Sequence, residues 1–362
     1  MGTEIMSDEI DIGVLAESFA EFLDAEWPRE KAVAYARGEA SYAADLWAQA
    51  AALGWSALTV PEAHGGLGMD AQAAAALHEA LGAAAAPLPM LGGTLAAALI
   101  ERAGTDAQKN ALLPALADGS ARACISSPGA AVLDADGPVL DGVVADVLDA
   151  PSASLLLLRA SRKGKDVWLA LAADADGITV QRTLLADTSR SLGTVTLKGA
   201  ALDEARILVP GDAAALDDEV LRLAAIALAA DSLGGGNAVL AATIEYMKGR
   251  EQFGRVIASF QALKHRVADH KAALEAARGL VEHAAILDAG APNALLSALS
   301  AKQHVTRVAA EVARDCIQLH GGVGFTAEYV PHIYLKRAKL NEALFGTRSV
   351  LLDRIADMLE AA

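Results

Sequence analysis

Apolar residues recur at helical spacing over residues 9–26 and again over 31–52, with Pro28 between the two runs. The spacing predicts two helices, then a short connector at 54–61 and a turn-rich stretch at 62–70 holding Gly65, Gly66 and Gly68. Asp70 stands where a carboxylate caps the next helix, 71–82, and further helices fit 91–103 and 106–117. Near residue 121 the pattern changes. Short apolar or alternating runs at 154–158, 167–172, 178–181, 192–197 and 206–209 predict antiparallel strands. Turn residues separate them, as in Asp136-Gly137-Pro138 and at Gly177, which permits a tight reversal. From residue 216 the helical period returns, over 216–250, 258–288, 293–319 and 348–361, with a shorter run at 332–344. Small-residue stripes let such long helices pack closely as four-helix bundles do. The expected fold class is therefore α+β: an N-terminal helical domain at 1–120, a central antiparallel β-domain at 121–212 and a C-terminal four-helix domain at 213–362.

Composition narrows the function classes. Hydrophobic residues make up 54% of the 362 but aromatic residues only 4%, so the core is built from Ala, Leu, Val and Ile, which favours helices. The net charge of -16 repels nucleic acid and anionic lipid, and the densest basic cluster, Arg162, Lys163 and Lys165, reads as a solvated turn. Cys124 and Cys316 have no partner at metal-ligand spacing, which predicts no metal site and two reduced, largely buried thiols in a cytoplasmic protein. Residues 1–12 are acidic and lack the pattern of a secretory signal. The alanine-rich run 71–99 is cut by His78, Glu79, Pro87, Pro89 and two glycines, so no membrane insertion is expected.

Two polar, glycine-punctuated segments carry candidate chemistry. In Arg250-Glu251-Gln252-Phe253-Gly254, Arg250 can make bidentate contacts to phosphate oxygens and Phe253 can press on a planar heterocycle. The bland alternative is a helix turn with a buried Phe and an ordinary surface arginine. In Gln318-Leu319-His320-Gly321-Gly322, the glycines allow close backbone approach and Gln318 can donate and accept toward a nucleotide. A plain helix C-cap explains one or two of these glycines but not the pairing with the first segment.

Together the two segments, the Gly65-Gly66 turn and the closing helix resemble the acyl-CoA dehydrogenase family over essentially the whole chain. The resemblance implies that Arg250, Gln252, Phe253, Gln318, Gly321 and Gly322 contact the adenosine diphosphate arm of FAD held chiefly by a neighbouring subunit. It also exposes a loss. Where the family places a glutamate base ahead of Gly-Thr, this chain has Phe345 before Gly346-Thr347, and the family's other base position falls on Ala224, beside Ala225. Neither side chain accepts a proton. Glu342, one turn before Phe345, is a displaced candidate, with a solvated acid beside Lys339 as its plainer reading; Arg222 is likewise either a displaced family arginine or a surface residue. The flavin loop is altered to Ile125-Ser126-Ser127-Pro128-Gly129-Ala130-Ala131, and residues 145–149 offer no aromatic or hydroxyl group for the flavin.

By this resemblance the chain is expected to be the non-catalytic subunit of a heteromeric (α2β2) acyl-CoA dehydrogenase, like those of bacterial steroid side-chain degradation. A catalytic partner subunit would supply the glutamate that takes the α-proton of an acyl-CoA substrate. FAD would accept the β-hydride, and an electron-transferring flavoprotein would reoxidise it. Two alternatives stand: a self-sufficient homomeric dehydrogenase using Glu342, and a non-enzymatic acyl-CoA-binding or structural relic.

Overall fold

The computed structural model describes residues 11–38, 40–128, 132–209 and 211–360. Residues 1–10, on which the absence of a secretory signal chiefly rests, and Gly129, Ala130 and Ala131 of the altered loop lie outside the described residues.

Among the described residues six α-helices come first: α1 (Ile12–Glu26), α2 (Arg29–Tyr35), α3 (Ala44–Ala52), α4 (Ala71–Ala83), α5 (Met90–Ala103) and α6 (Asp106–Ala117). Asp70 caps α4 as expected, its carboxylate accepting from the Gln72 and Ala73 amides. The single helix predicted over 31–52 is instead two. The chain leaves helix after Tyr35, turns through Gly38, and re-enters at Ala44 with the Ala43 amide donating to the Pro87 carbonyl. A glycine weakens helix and a tertiary hydrogen bond holds the return path, so periodicity alone ran the two pieces together.

The sheet strands are β1 (Ala123–Ile125), β2 (Leu133–Asp134), β3 (Val139–Leu148), β4 (Leu155–Arg162), β5 (Lys165–Ala172), β6 (Ile178–Thr183), β7 (Leu192–Ala201) and β8 (Ile207–Leu208). They lie in the order β6-β7-β3-β1-β4-β5-β8, with β2 also beside β4. Most pairs are antiparallel, but β1 and β2 join β4 in parallel. The first three strands went unread in the sequence. β1 is three buried residues long, and β3 shifts register twice, with Asp146 at φ 55°, so neither shows clean alternation.

The chain closes with α7 (Ala213–Gly249), a hairpin of β9 (Glu251–Gln252) and β10 (Arg255–Val256), α8 (Gln261–Ile286), α9 (Ala294–His320), α10 (Pro331–Ala343) and α11 (Arg348–Glu360). Among the described residues α7 alone is long and apolar enough to cross a membrane, yet 78% of that stretch is buried inside the protein, as in a core helix. It meets α4 backbone to backbone. A Cβ on Gly82 would lie 1.9 Å from the Asp231 carbonyl oxygen, and one on Gly234 would lie 1.9 Å from that of Glu79. Only glycine fits either crossing point.

A buried ionic junction ties the three regions together. The Asp231 carboxylate on α7 accepts from Arg337 (2.6 and 2.9 Å) and Asn341 (2.7 Å) on α10, and pairs with Arg190 at 2.8 Å from the segment before β7. Arg337 also donates to the Ser189 hydroxyl (2.9 Å) and the Ala86 carbonyl (3.3 Å). Burial alone would raise Asp231, but Arg190 and Arg337 hold it well below the usual carboxylate range. Asp149, also buried, is pushed up to about 6 by desolvation despite Arg190, and burial lowers His78 to about 4.

Two outcomes follow for stability. Asp231→Ala leaves two buried guanidiniums without their carboxylate and is expected to cost about 3–5 kcal/mol in chemical denaturation. Asp149 keeps its proton in the folded state between pH 3.8 and about 6, where the unfolded chain has lost it, so its contribution falls as pH rises through that window. The unfolding free energy of the parent minus that of Asp149→Asn should therefore decline across that range and level off above it. Urea titrations at closely spaced pH values check this, and a flat difference would rule it out.

Candidate functional site

The two glycine-punctuated segments lie at neighbouring helix ends. α7 ends at Gly249, and the hairpin that follows presents Phe253 at its tip, with φ 55° at Phe253 and 76° at Gly254. α9 ends at His320, and Gly321, at φ 67°, leads into a 3₁₀ turn over Gly321–Phe325. One turn inside α7, the Tyr246 ring stacks on that of His320 at 4.3 Å, and its hydroxyl donates to the His320 carbonyl at 3.2 Å. This contact brings the two segments together.

The six predicted binding residues share one property: all are exposed. Arg250 has no ion pair among the described residues, and the Gln252 amide reaches only the neighbouring Glu251 carbonyl, at 2.7 Å. Phe253 is 93% exposed, which overturns the bland reading of a buried Phe in a helix turn. A Cβ added at Gly254, Gly321 or Gly322 would meet nothing within 4 Å. Internal packing therefore does not account for these glycines, and the open backbone lets a ligand approach closely. Alongside lies a cleft of about 610 Å³, lined in part by Gln318, Arg266, Arg314 and Asp315. Asp315 bonds both Arg266 and His270, the latter at 2.7 Å; sequence reading missed this pairing because its members lie on two helices, α8 and α9.

The candidate acid-base positions have the opposite character. Phe345 is only 6% exposed and joins the main hydrophobic cluster, with φ 53°, a conformation rare for a bulky residue. Ala224 is fully buried. α10 ends at Ala343, so Phe345 lies beyond the helix and does not share a helical face with Glu342. The Glu342 carboxylate pairs with Lys339 and is partly buried rather than solvated, its side chain 21% exposed. Arg222 is no surface residue: it is 5% exposed and makes a two-pronged pair with Glu219 at 2.8 and 3.0 Å.

Beneath the Phe345 turn lies Lys302, 1% exposed, whose ammonium donates to the Gly346 carbonyl at 2.8 Å and the Glu342 carbonyl at 3.4 Å. Burial lowers it to about 8, partly offset by Glu342. These bonds satisfy carbonyls at the C-terminal end of α10, where a cation is favoured. The described part of the altered loop is clamped as well. Arg159 donates to the Pro128 carbonyl (2.8 Å), its amide donates to the Ser126 hydroxyl (3.1 Å), and its guanidinium pairs with Asp217 and Asp166, each at 3.0 Å. No motif marked Lys302 or Arg159, since each acts on backbone carbonyls far off in sequence.

The arrangement offers one open surface suited to a phosphate-bearing, planar ligand, and a second, closed region with no free carboxylate at either candidate base position. Truncating the seal, as in Phe345→Ala, is expected to cost about 3–5 kcal/mol in denaturation experiments through the cavity it leaves.

The family model for the acyl-CoA dehydrogenase N-terminal domain matches residues 13–120, and that for the C-terminal domain matches 215–360. The chain is 37% identical to the acyl-CoA dehydrogenase IpdE2 of Mycobacterium tuberculosis over 84% of its own length and 82% of that protein's. Among solved structures it is similar to a variant of the Tcur3481-Tcur3483 steroid ACAD, with a TM-score of 0.85 at 30% identity, covering 97% of this chain and 98% of that one. It is also similar to a chain of the ChsE4-ChsE5 complex from Mycobacterium tuberculosis, with a TM-score of 0.88 at 26% identity over 97% of each.

Proposed function

We infer, since this chain belongs to the acyl-CoA dehydrogenase family, that it is the cofactor-clasping, non-catalytic subunit of a heteromeric acyl-CoA dehydrogenase. The observation that carries this reading is the contrast between the two halves of the site: the clasp residues stand exposed, with Arg250 in no ion pair among the described residues, whereas the turn that would carry a base is sealed by Phe345. An exposed phenylalanine at a strained hairpin tip is costly unless something covers it, and a flavin cofactor shared with a partner is the covering surface proposed here.

The residues present fit one end of FAD. Arg250 binds a phosphate of the diphosphate arm, Gln252 and Gln318 hydrogen-bond the nucleotide, Phe253 packs on it, and Gly321 and Gly322 let it approach the backbone. The other end is not provided for, because Arg159 clamps the loop at Ser126 to Pro128 and Phe345 fills the core beside Gly346. When bound, FAD supplies the hydride acceptor for α,β-dehydrogenation of an acyl-CoA. This chain orients the cofactor and closes the interface to water, and the partner supplies the carboxylate that takes the proton. The names of the steroid ACAD and of the ChsE4-ChsE5 complex support a bulky steroid-type acyl group and a paired subunit. An electron-transferring flavoprotein completes the cycle, and a cytoplasmic location accords with two buried free thiols.

Two measurements test the assignment. The purified chain alone, assayed with several acyl-CoAs and a dye acceptor, should show no flavin-dependent turnover; robust turnover without a partner would overturn it. In the complex captured from its native host through a tag on this chain, Arg250→Ala should weaken FAD binding by roughly 10–100-fold, the value of a charge-assisted contact of about 1.5–3 kcal/mol. Equal flavin occupancy in parent and variant would contradict the clasp.

A further inference from the structure

We propose that Tyr246 and His320 are the positioning residues of this clasp, a stacked joint that sets one half of it against the other. The inference rests on the reading of the clasp given above. The two halves ride on different helices, and both lie at helix ends, where the backbone is least constrained. The hairpin half turns through left-handed residues at Phe253 and Gly254, and the other half turns through Gly321. Exposed side chains such as Arg250 and Gln318 do not by themselves hold those turns in register.

Tyr246 and His320 lie next to the turns that need fixing. The Arg250 amide donates to the Tyr246 carbonyl at 3.0 Å, so Tyr246 lies one turn below the residue proposed to bind phosphate. His320 sits between Gln318 and Gly321 in the chain. The rings lie 4.3 Å apart with 17° between their planes, and the Tyr246 hydroxyl donates to the carbonyl that immediately precedes Gly321. The His320 ring is itself fixed: Nδ1 lies 2.8 Å from the Cys316 carbonyl, which can only accept, so Nδ1 carries a proton and donates it there. Burial, the largest effect on the ring, disfavours its charged form. Tyr329 stands edge-on to both rings, at 6.0 and 5.8 Å, and closes the third side. A rotation of either helix end must break the stack or the hydrogen bond, so the spacing of Arg250 from Gly321 is set by this joint.

The test measures FAD affinity and stability separately in the complex captured through a tag on this chain, stripped of flavin and titrated with FAD. Tyr246→Leu keeps most of the volume but removes the stack and the hydroxyl. It is expected to raise the FAD Kd about tenfold while the flavin-free complex keeps its assembly and its melting temperature. Tyr246→Phe, which retains the stack, should stay within about threefold of the parent. Unchanged FAD affinity in Tyr246→Leu, with Arg250→Ala still weakening it, overturns the joint and leaves the clasp standing. If Arg250→Ala is also without effect, the clasp reading itself fails and takes the joint with it. If Tyr246→Leu loses assembly, His320→Asn serves in its place with the same expectation. Loss of assembly in that variant too overturns the proposal in favour of a purely structural role.

Discussion

The Asp231 carboxylate lies where three parts of the chain meet, fully buried and held by two guanidiniums. A charge so far from water persists only when its partners come close with good geometry, and here they come from α10 and from the segment before β7. Arg337 carries the tie onward to Ser189 and to the Ala86 carbonyl, so the N-terminal helices, the sheet and the bundle are locked by one set of bonds. The same stretch of α7 is where Gly82 and Gly234 let α4 and α7 touch backbone to backbone. An arginine finds its carboxylate only if those helices sit at that separation. Packing and electrostatics therefore specify the same arrangement.

Downstream of this lock the chain divides its labour. Asn341, bonded to Asp231, lies in the last turn of α10, just ahead of the Phe345 turn, and Lys302 grips the carbonyls of Glu342 and Gly346. The turn keeps an unusual backbone even though its side chain is apolar, because buried polar contacts to its carbonyls hold it from below. At the far end of α7 the logic reverses. There the side chains are polar or aromatic, exposed and short of partners, and the structure invests in placing their backbone.

Much of this was legible in the sequence, for identifiable reasons. The long helices announce themselves by periodicity, Asp70 by its capping position, and the two neighbouring exposed turns by short glycine-punctuated segments. The early strands were hidden because β1 is too short to alternate and β3 is bulged. The ionic junction was hidden because Arg190, Asp231 and Arg337 lie far apart in the sequence; nothing local distinguishes a buried aspartate from a solvated one. Arg222 shows the same blindness, since its burial with Glu219 depends on how α7 is covered. Phe345 was conspicuous as a missing acid, but its left-handed backbone was not, because that is set by contacts from Lys302 and from the end of α10.

Phe253 and Phe325 are 93% and 76% exposed on a chain of net charge -16. The charge keeps single chains apart in solution, whereas the bare rings are the kind of surface that chaperones and proteases of a cell survey. Rings left bare in this way meet whatever apolar surface the chain encounters, because its own core does not shield them.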